Sequence, residues 1–170
     1  VEALDSGDPE VDVAYRDAVY QVQAPFNSEA KLLVKTKQRY GGVIWGNENI
    51  AIVSDEWYDT RNTKTYLINP SNTSQAPKII SDRNSQDIYS DPGNFETKRN
   101  EYNRYVLAIE NNNAYLIGDG FTKDGQFPFI DEYNLGTLKT KRLYTSTFKD
   151  KKEDLLSIED FKKGDVLVQI

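Results

Sequence analysis

The residues that are missing decide most of what chemistry this chain can do. The sequence has 170 residues and contains neither histidine nor cysteine. Ser-His-Asp and Cys-His nucleophilic catalysis both need a base or nucleophile of those types, so neither can be assembled from this chain alone. A histidine-ligated zinc site, a thiolate metal site and a disulfide are excluded on the same ground. There is no Gly-x-Ser-x-Gly nucleophile elbow and no glycine-rich phosphate loop, and no cofactor is expected.

The chemistry left over belongs to carboxylates and arginines. Asp55-Glu56 and the pair Asp87 and Asp91 are the acidic clusters. Glycoside hydrolysis needs two carboxyls at a set separation, which nothing in the sequence fixes. No Asp-x-Asp-x-Asp-Gly calcium loop occurs. In an acidic protein these clusters read first as solvated surface. Asn72-Thr73-Ser74 matches an N-glycosylation acceptor, a triplet that chance produces often. Trp57-Tyr58-Asp59-Thr60-Arg61 and Arg39-Tyr40-Gly41-Gly42 each carry an arginine of the kind that grips a substrate carboxylate in bidentate fashion. The competing assignment is a structural arginine paired with Asp59 or Asp55.

Net charge is -6, which argues against nucleic-acid and anionic-membrane partners and fits plain solubility. Hydrophobic residues make up 38% and aromatics 12%, enough for one modest core. No apolar run approaches membrane-spanning length, and no stretch reads as a signal peptide. The chain starts at Val1 and has no methionine, which reads as a portion of a longer or processed polypeptide.

The elements that must position these residues are strands. Residues 1–13 are acidic and contain Gly7 and Pro9, and read as a flexible lead-in. From Ala14 onward, short runs of Val, Ile, Leu, Tyr and Thr alternate with Asn, Gly, Asp and Pro turns, an all-β pattern. The one helical candidate, Asp154 to Phe161, reads better as a strand. Two kinds of hairpin recur. A polar kind falls at 18–35, 65–81 and 129–145. A more apolar kind with a tighter turn falls at 42–55, 105–117 and 155–170. Their alternation is that of propeller blades. The expectation for 14–170 is a partial β-propeller with two complete four-stranded blades flanked by two half-blades. It divides into hairpin 18–35, blade 42–81, insertion 82–103, blade 105–145 and hairpin 155–170. A β-sandwich is the alternative. Exposed blade edges make a homodimer a possible assembly.

Several motifs resemble a known family. They are Gly41-Gly42-Val43-Ile44-Trp45, the stretch from Ile50 to Leu67 with Trp57, Tyr58 and Arg61, and the run Asp82, Arg83, Asp87, Tyr89, Ser90, Asp91, Pro92, Gly93. Arg16-Asp17 to Pro25-Phe26 and Phe127-Pro128-Phe129-Ile130-Asp131 fit as well. Together they resemble the propeller of the glutamyl endopeptidase-like branch, Bacteroidetes type, of the prolyl oligopeptidase family of serine peptidases. The resemblance implies an N-terminal propeller that restricts peptide entry to a C-terminal α/β-hydrolase domain. That domain carries the Ser-Asp-His triad and is absent here, so no catalytic residue transfers. It also implies that the partners are the hydrolase domain, the remaining blades and peptide substrates, and that the setting is periplasmic or secreted. Arg39, Arg61, Arg83 and Arg104 are the candidates for gating contacts with substrate. The reading from another class is a stand-alone propeller-type scaffold that binds protein or glycan.

Overall fold

The computed structural model describes all residues from Val1 to Ile170. The fold is all-β: seventeen strands and a single 3-10 turn, with no α-helix. The chain divides into two compact units, Val1–Ser85 and Gln86–Ile170.

The first unit contains β1 (Glu2–Ala3), β2 (Asp17–Gln21), β3 (Lys31–Thr36), β4 (Arg39–Asn47), β5 (Ile50–Trp57), β6 (Asn62–Ile68) and β7 (Lys78–Asn84). Strands β1, β2 and β3 form one antiparallel sheet. Strands β4, β5, β6 and β7 form a four-stranded meander in which spatial order equals sequence order. The inner strands carry consecutive buried residues, Ala51-Ile52-Val53 on β5 and Tyr66-Leu67-Ile68 on β6, because both of their faces are covered. The outer strand β7 is mostly exposed. Val19, Leu33 and Val34 from the three-stranded sheet pack with Ala51, Val53, Tyr66 and Ile68 from the meander as one core.

The lead-in departs from expectation. Glu2 and Ala3 pair with Ala18 and Asp17. Asp5 is 2% exposed and accepts from Arg16 Nη1 at 2.8 Å and Arg39 Nη2 at 2.7 Å. Residues 2–5 are therefore tied into the fold rather than forming a flexible leader, and charge pairing rather than apolar burial holds them. The Arg16 bond, opposed by burial and reinforced by Arg39, lowers the Asp5 carboxyl from 3.8 to about 2. A depressed acid stabilises the fold above its unfolded value, and that stability is lost as pH falls through the folded one. Asp5→Asn is thus expected to lose stability at neutral pH and to flatten the decline between about pH 4 and pH 2. Acid titration followed by tryptophan fluorescence checks this, and an unchanged acid transition would refute it.

The second unit contains a 3-10 turn (Ile88–Ser90), β8 (Asn94–Phe95), β9 (Thr97–Arg99), β10 (Tyr105–Leu107), β11 (Asn113–Gly118), β12 (Phe121–Thr122), β13 (Gly125–Gln126), β14 (Phe129–Asn134), β15 (Lys139–Thr145), β16 (Asp154–Asp160) and β17 (Asp165–Gln169). Its main sheet runs β15-β14-β11-β8. Ala114, Tyr115, Leu116, Phe129, Ile130 and Tyr133 are its buried hydrophobic residues. Every residue of β15 is exposed, so this outer strand does not alternate.

The strand beside β11 is not the one the hairpin at 105–117 predicts. Tyr105–Leu107 pairs with Arg99–Thr97, whereas Phe95 and Asn94 pair with Leu116 and Ile117. The ladder continues through Glu96 N, which donates to Tyr115 O at 2.8 Å. The segment assigned as an insertion, 82–103, thus supplies the fourth strand. Gly93 makes this possible: its φ of +86° turns the chain hard against the Ile117 carbonyl, where no side chain fits. No helix is long and apolar enough to cross a membrane.

Candidate functional site

The motif residues fall in two places, one in each unit. In the first, the β5–β6 turn and the end of β7 meet. Asn62 Nδ2 donates to Asp82 Oδ1 at 2.8 Å and to Arg83 O at 3.2 Å. Lys64 pairs with Asp82 Oδ2. The Asn62 bond first, then the Lys64 bond, hold the Asp82 carboxyl below its usual range. Ser85 N donates to Arg61 O at 2.7 Å, and Asn84 Nδ2 to Thr60 O at 3.2 Å. Asp82 and its neighbours are therefore a latch that fixes the turn.

That latch presents Tyr58 and Arg61. Tyr58 is 74% exposed, and the Arg61 guanidinium lies 3.7 Å from its ring centroid. Arg61 takes the left-handed conformation at φ +55°. Trp57 is covered by Arg16, 4.5 Å from its ring. Arg39 is bound by Asp5 and Asp17, the latter at 3.0 Å, and not by Asp55 or Asp59. Arg83 Nη1 donates to Asn84 O at 3.0 Å. Arg104 belongs to the second unit and is exposed, with its backbone N–H donated to Asn100 Oδ1.

In the second unit, Tyr89, Ser90, Asp91 and Pro92 line a cleft of about 370 Å³ with Phe121, Phe127, Asp131 and Arg142. Asp87 Oδ1 caps the 3-10 turn by accepting from Tyr89 N at 3.1 Å. Asp91 Oδ1 accepts from Gly93 N at 2.9 Å. Arg142 forms a two-point pair with Asp131, donates to Thr145 Oγ1 at 3.0 Å and stacks 3.8 Å over Phe129. This fork is held rigid by three kinds of contact, in a cleft whose walls are aromatic.

Asp55 and Glu56 do not form a hydrolytic pair. Asp55, read as solvated surface, is fully buried in β5. Its Oδ2 accepts from Tyr66 Oη at 2.9 Å and Gln38 N at 3.1 Å. Burial raises its carboxyl against these bonds. Glu56 is exposed on the opposite face of the strand. No group of three His, Cys, Asp or Glu side chains comes together to hold a metal. The sequence reading missed Asp5, Asp17 and Asp55 as buried anchors. Arg16 beside Asp17 was the one local cue; the immediate neighbours of Asp5 and Asp55 carry none.

Both places set an arginine on an aromatic ring, Arg61 on Tyr58 and Arg142 on Phe129, on a β framework. No family model and no solved structure matches the chain. Two curated plant proteins do, both named "Probable glutamyl endopeptidase, chloroplastic". The one from Oryza sativa subsp. japonica is 39% identical over 153 residues, covering 86% of this chain and 16% of that protein. The one from Arabidopsis thaliana is 34% identical over 177 residues, covering 99% of this chain and 18% of its own. The chain is related to peptidase-type proteins and spans less than a fifth of the length of either relative.

Proposed function

We propose that this chain is a non-catalytic β-propeller segment of a larger serine peptidase of the prolyl oligopeptidase type. In this reading it gates peptide access to an α/β-hydrolase domain in an exported, periplasmic or secreted enzyme. The observation that carries the proposal is a combination. Similarity to proteins named glutamyl endopeptidase runs along 86–99% of a chain that contains no histidine. Half-buried Arg61, set on the exposed Tyr58 ring, and exposed Arg104 are the candidates for meeting acidic peptide groups, since guanidinium grips carboxylate in a fixed geometry. Arg39 is spent on Asp5 and Asp17 and serves the framework.

The purified chain is expected to hydrolyse no glutamate-containing fluorogenic peptide and to resist a fluorophosphonate serine probe. The full-length parent is expected to do both reactions. Turnover or labelling in the chain alone, or an inert parent, would overturn the proposal. A parent gene with no Gly-x-Ser-x-Gly motif downstream would favour the scaffold reading.

A further inference from the structure

A second cavity of the Gln86–Ile170 unit holds a buried carboxyl group, Glu153, whose hydrogen bonds come from a phenol and not from a cation. The hairpin β16–β17 packs against β11 and shares a cleft with Ile130 of β14 and Tyr144 of β15, held there in part by Ile158 N donating to Glu96 Oε2 at 3.0 Å. Between them lies a cleft of about 360 Å³, walled by Tyr115, Ile130, Leu155, Ile158, Phe161 and Val166. That volume falls at the lower end of small-molecule sites, ~300–1,000 Å³. The Tyr115 and Phe161 rings stand 5.1 Å apart.

Glu153 lines this cleft and is 6% exposed. Its hydrogen-bond partner is a neutral phenol: Tyr144 Oη lies 2.9 Å from Oε2 and 3.1 Å from Oε1. Burial, then the bond to Glu153, raises the Tyr144 hydroxyl, so it stays protonated and donates. One hydroxyl donor leaves most of the acceptor capacity of a carboxylate unmet. The neighbouring lysines are directed elsewhere, Lys152 to Asp154 and Lys151 onto Phe148. A buried carboxyl group without a counter-charge is costly, and a cation in hydrogen-bond reach offsets that cost.

We infer that this cleft binds the free amino terminus of a peptide whose first residue is apolar, with the ammonium on Glu153 and the side chain among the aromatic and aliphatic walls. Naming a peptide as the source rests on the proposed peptidase role. The apolar volume and the buried carboxyl group stand without it.

The test titrates the isotopically labelled chain with Phe-Ala-Ala and with its N-acetylated form. The readout is the amide shifts of Tyr144, Glu153, Leu155 and Ile158. The free-amine peptide is expected to bind about tenfold tighter or more. Glu153→Gln keeps an oxygen for the Tyr144 hydroxyl and removes the charge, so its affinity for the free-amine peptide should drop to that of the acetylated one. Equal affinities, absent shifts or undiminished binding by the variant would overturn the inference. If Glu153→Gln does not fold, the two peptides on the unaltered chain decide the matter. Val166→Phe, which narrows the cleft, gives the second variant and is expected to abolish the shifts. Phenethylamine binding without peptide binding overturns the peptide assignment. No step involves hydrolysis, so an inert parent enzyme would sink the peptidase role while leaving this result intact.

Discussion

Asp55→Ala is expected to destabilise the first unit by about 2–4 kcal/mol, whereas Asp55→Asn is expected to leave it within about 1 kcal/mol of the unaltered chain at neutral pH. Alanine removes the acceptor of two donors, Tyr66 Oη and Gln38 N, and Tyr66 is itself buried. Each orphaned donor costs about 1–3 kcal/mol. Asparagine keeps the accepting oxygen and replaces Oδ1, which has no hydrogen-bond partner, with an amide that can donate. Gln38 Oε1 is the other buried oxygen without a partner and belongs to the same residue that bonds Asp55.

The pH dependence follows from burial, which raises the folded value of Asp55. Above the ordinary carboxylate range the unfolded chain has released this proton while the folded chain still holds it. Stability therefore falls as pH rises through the folded value, the reverse of Asp5. Asparagine has no proton to lose, so the variant should not show that decline. Urea denaturation at several pH values followed by tryptophan fluorescence isolates the effect, because both tryptophans, Trp45 and Trp57, lie in this unit. Parallel pH curves for the two proteins would refute it.

Gly93→Ala is the second large effect, an expected loss of about 3 kcal/mol or more from the other unit. A methyl group at φ +86° is strained by about 1–2 kcal/mol. It would also enter the Ile117 carbonyl and approach Gly118 Cα to 2.8 Å, and backbone cannot yield as a side chain end can. Gly164→Ala is the control in the same unit: φ is +76° and nothing lies within 4 Å, so only the strain remains. Its expected cost is about 1–2 kcal/mol. Far-UV circular dichroism during urea unfolding compares the two, and equal losses would show that the contact at Gly93 yields. The same substitution should remove β8 from the main sheet, visible as loss of amide protection at Glu96.

Strand runs and tight turns were readable because they are local. The Gly46–Asn49 turn lies between β4 and β5, and the turn through Gly164 closes β16 onto β17. Period and turn chemistry need only neighbouring residues. Three features needed distant ones. Asp5 is buried because Arg39, 34 positions away, reaches it. Asp55 is buried where Gln38, 17 positions away, and Tyr66, on β6, meet its carboxylate. Val106 and Leu107 looked like the better strand beside β11, yet Asn94-Phe95 occupies that place, since Gly93 aims the chain there. Among the candidate arginines, sequence alone could not separate Arg39, fixed by two carboxylates, from Arg61, set on an exposed ring.

The order of strands in the two main sheets also sets how each must assemble. In β4-β5-β6-β7 every new strand joins the one made just before it, so each step closes only a short stretch of chain. In β15-β14-β11-β8 the edge strand β8 must wait for β11, which comes after the whole β9–β10 hairpin has been made. Closing that larger loop costs more entropy before any contact rewards it. During synthesis the first sheet can zip as it emerges, while the second must keep Asn94–Phe95 unpaired until Asn113–Gly118 has left the ribosome.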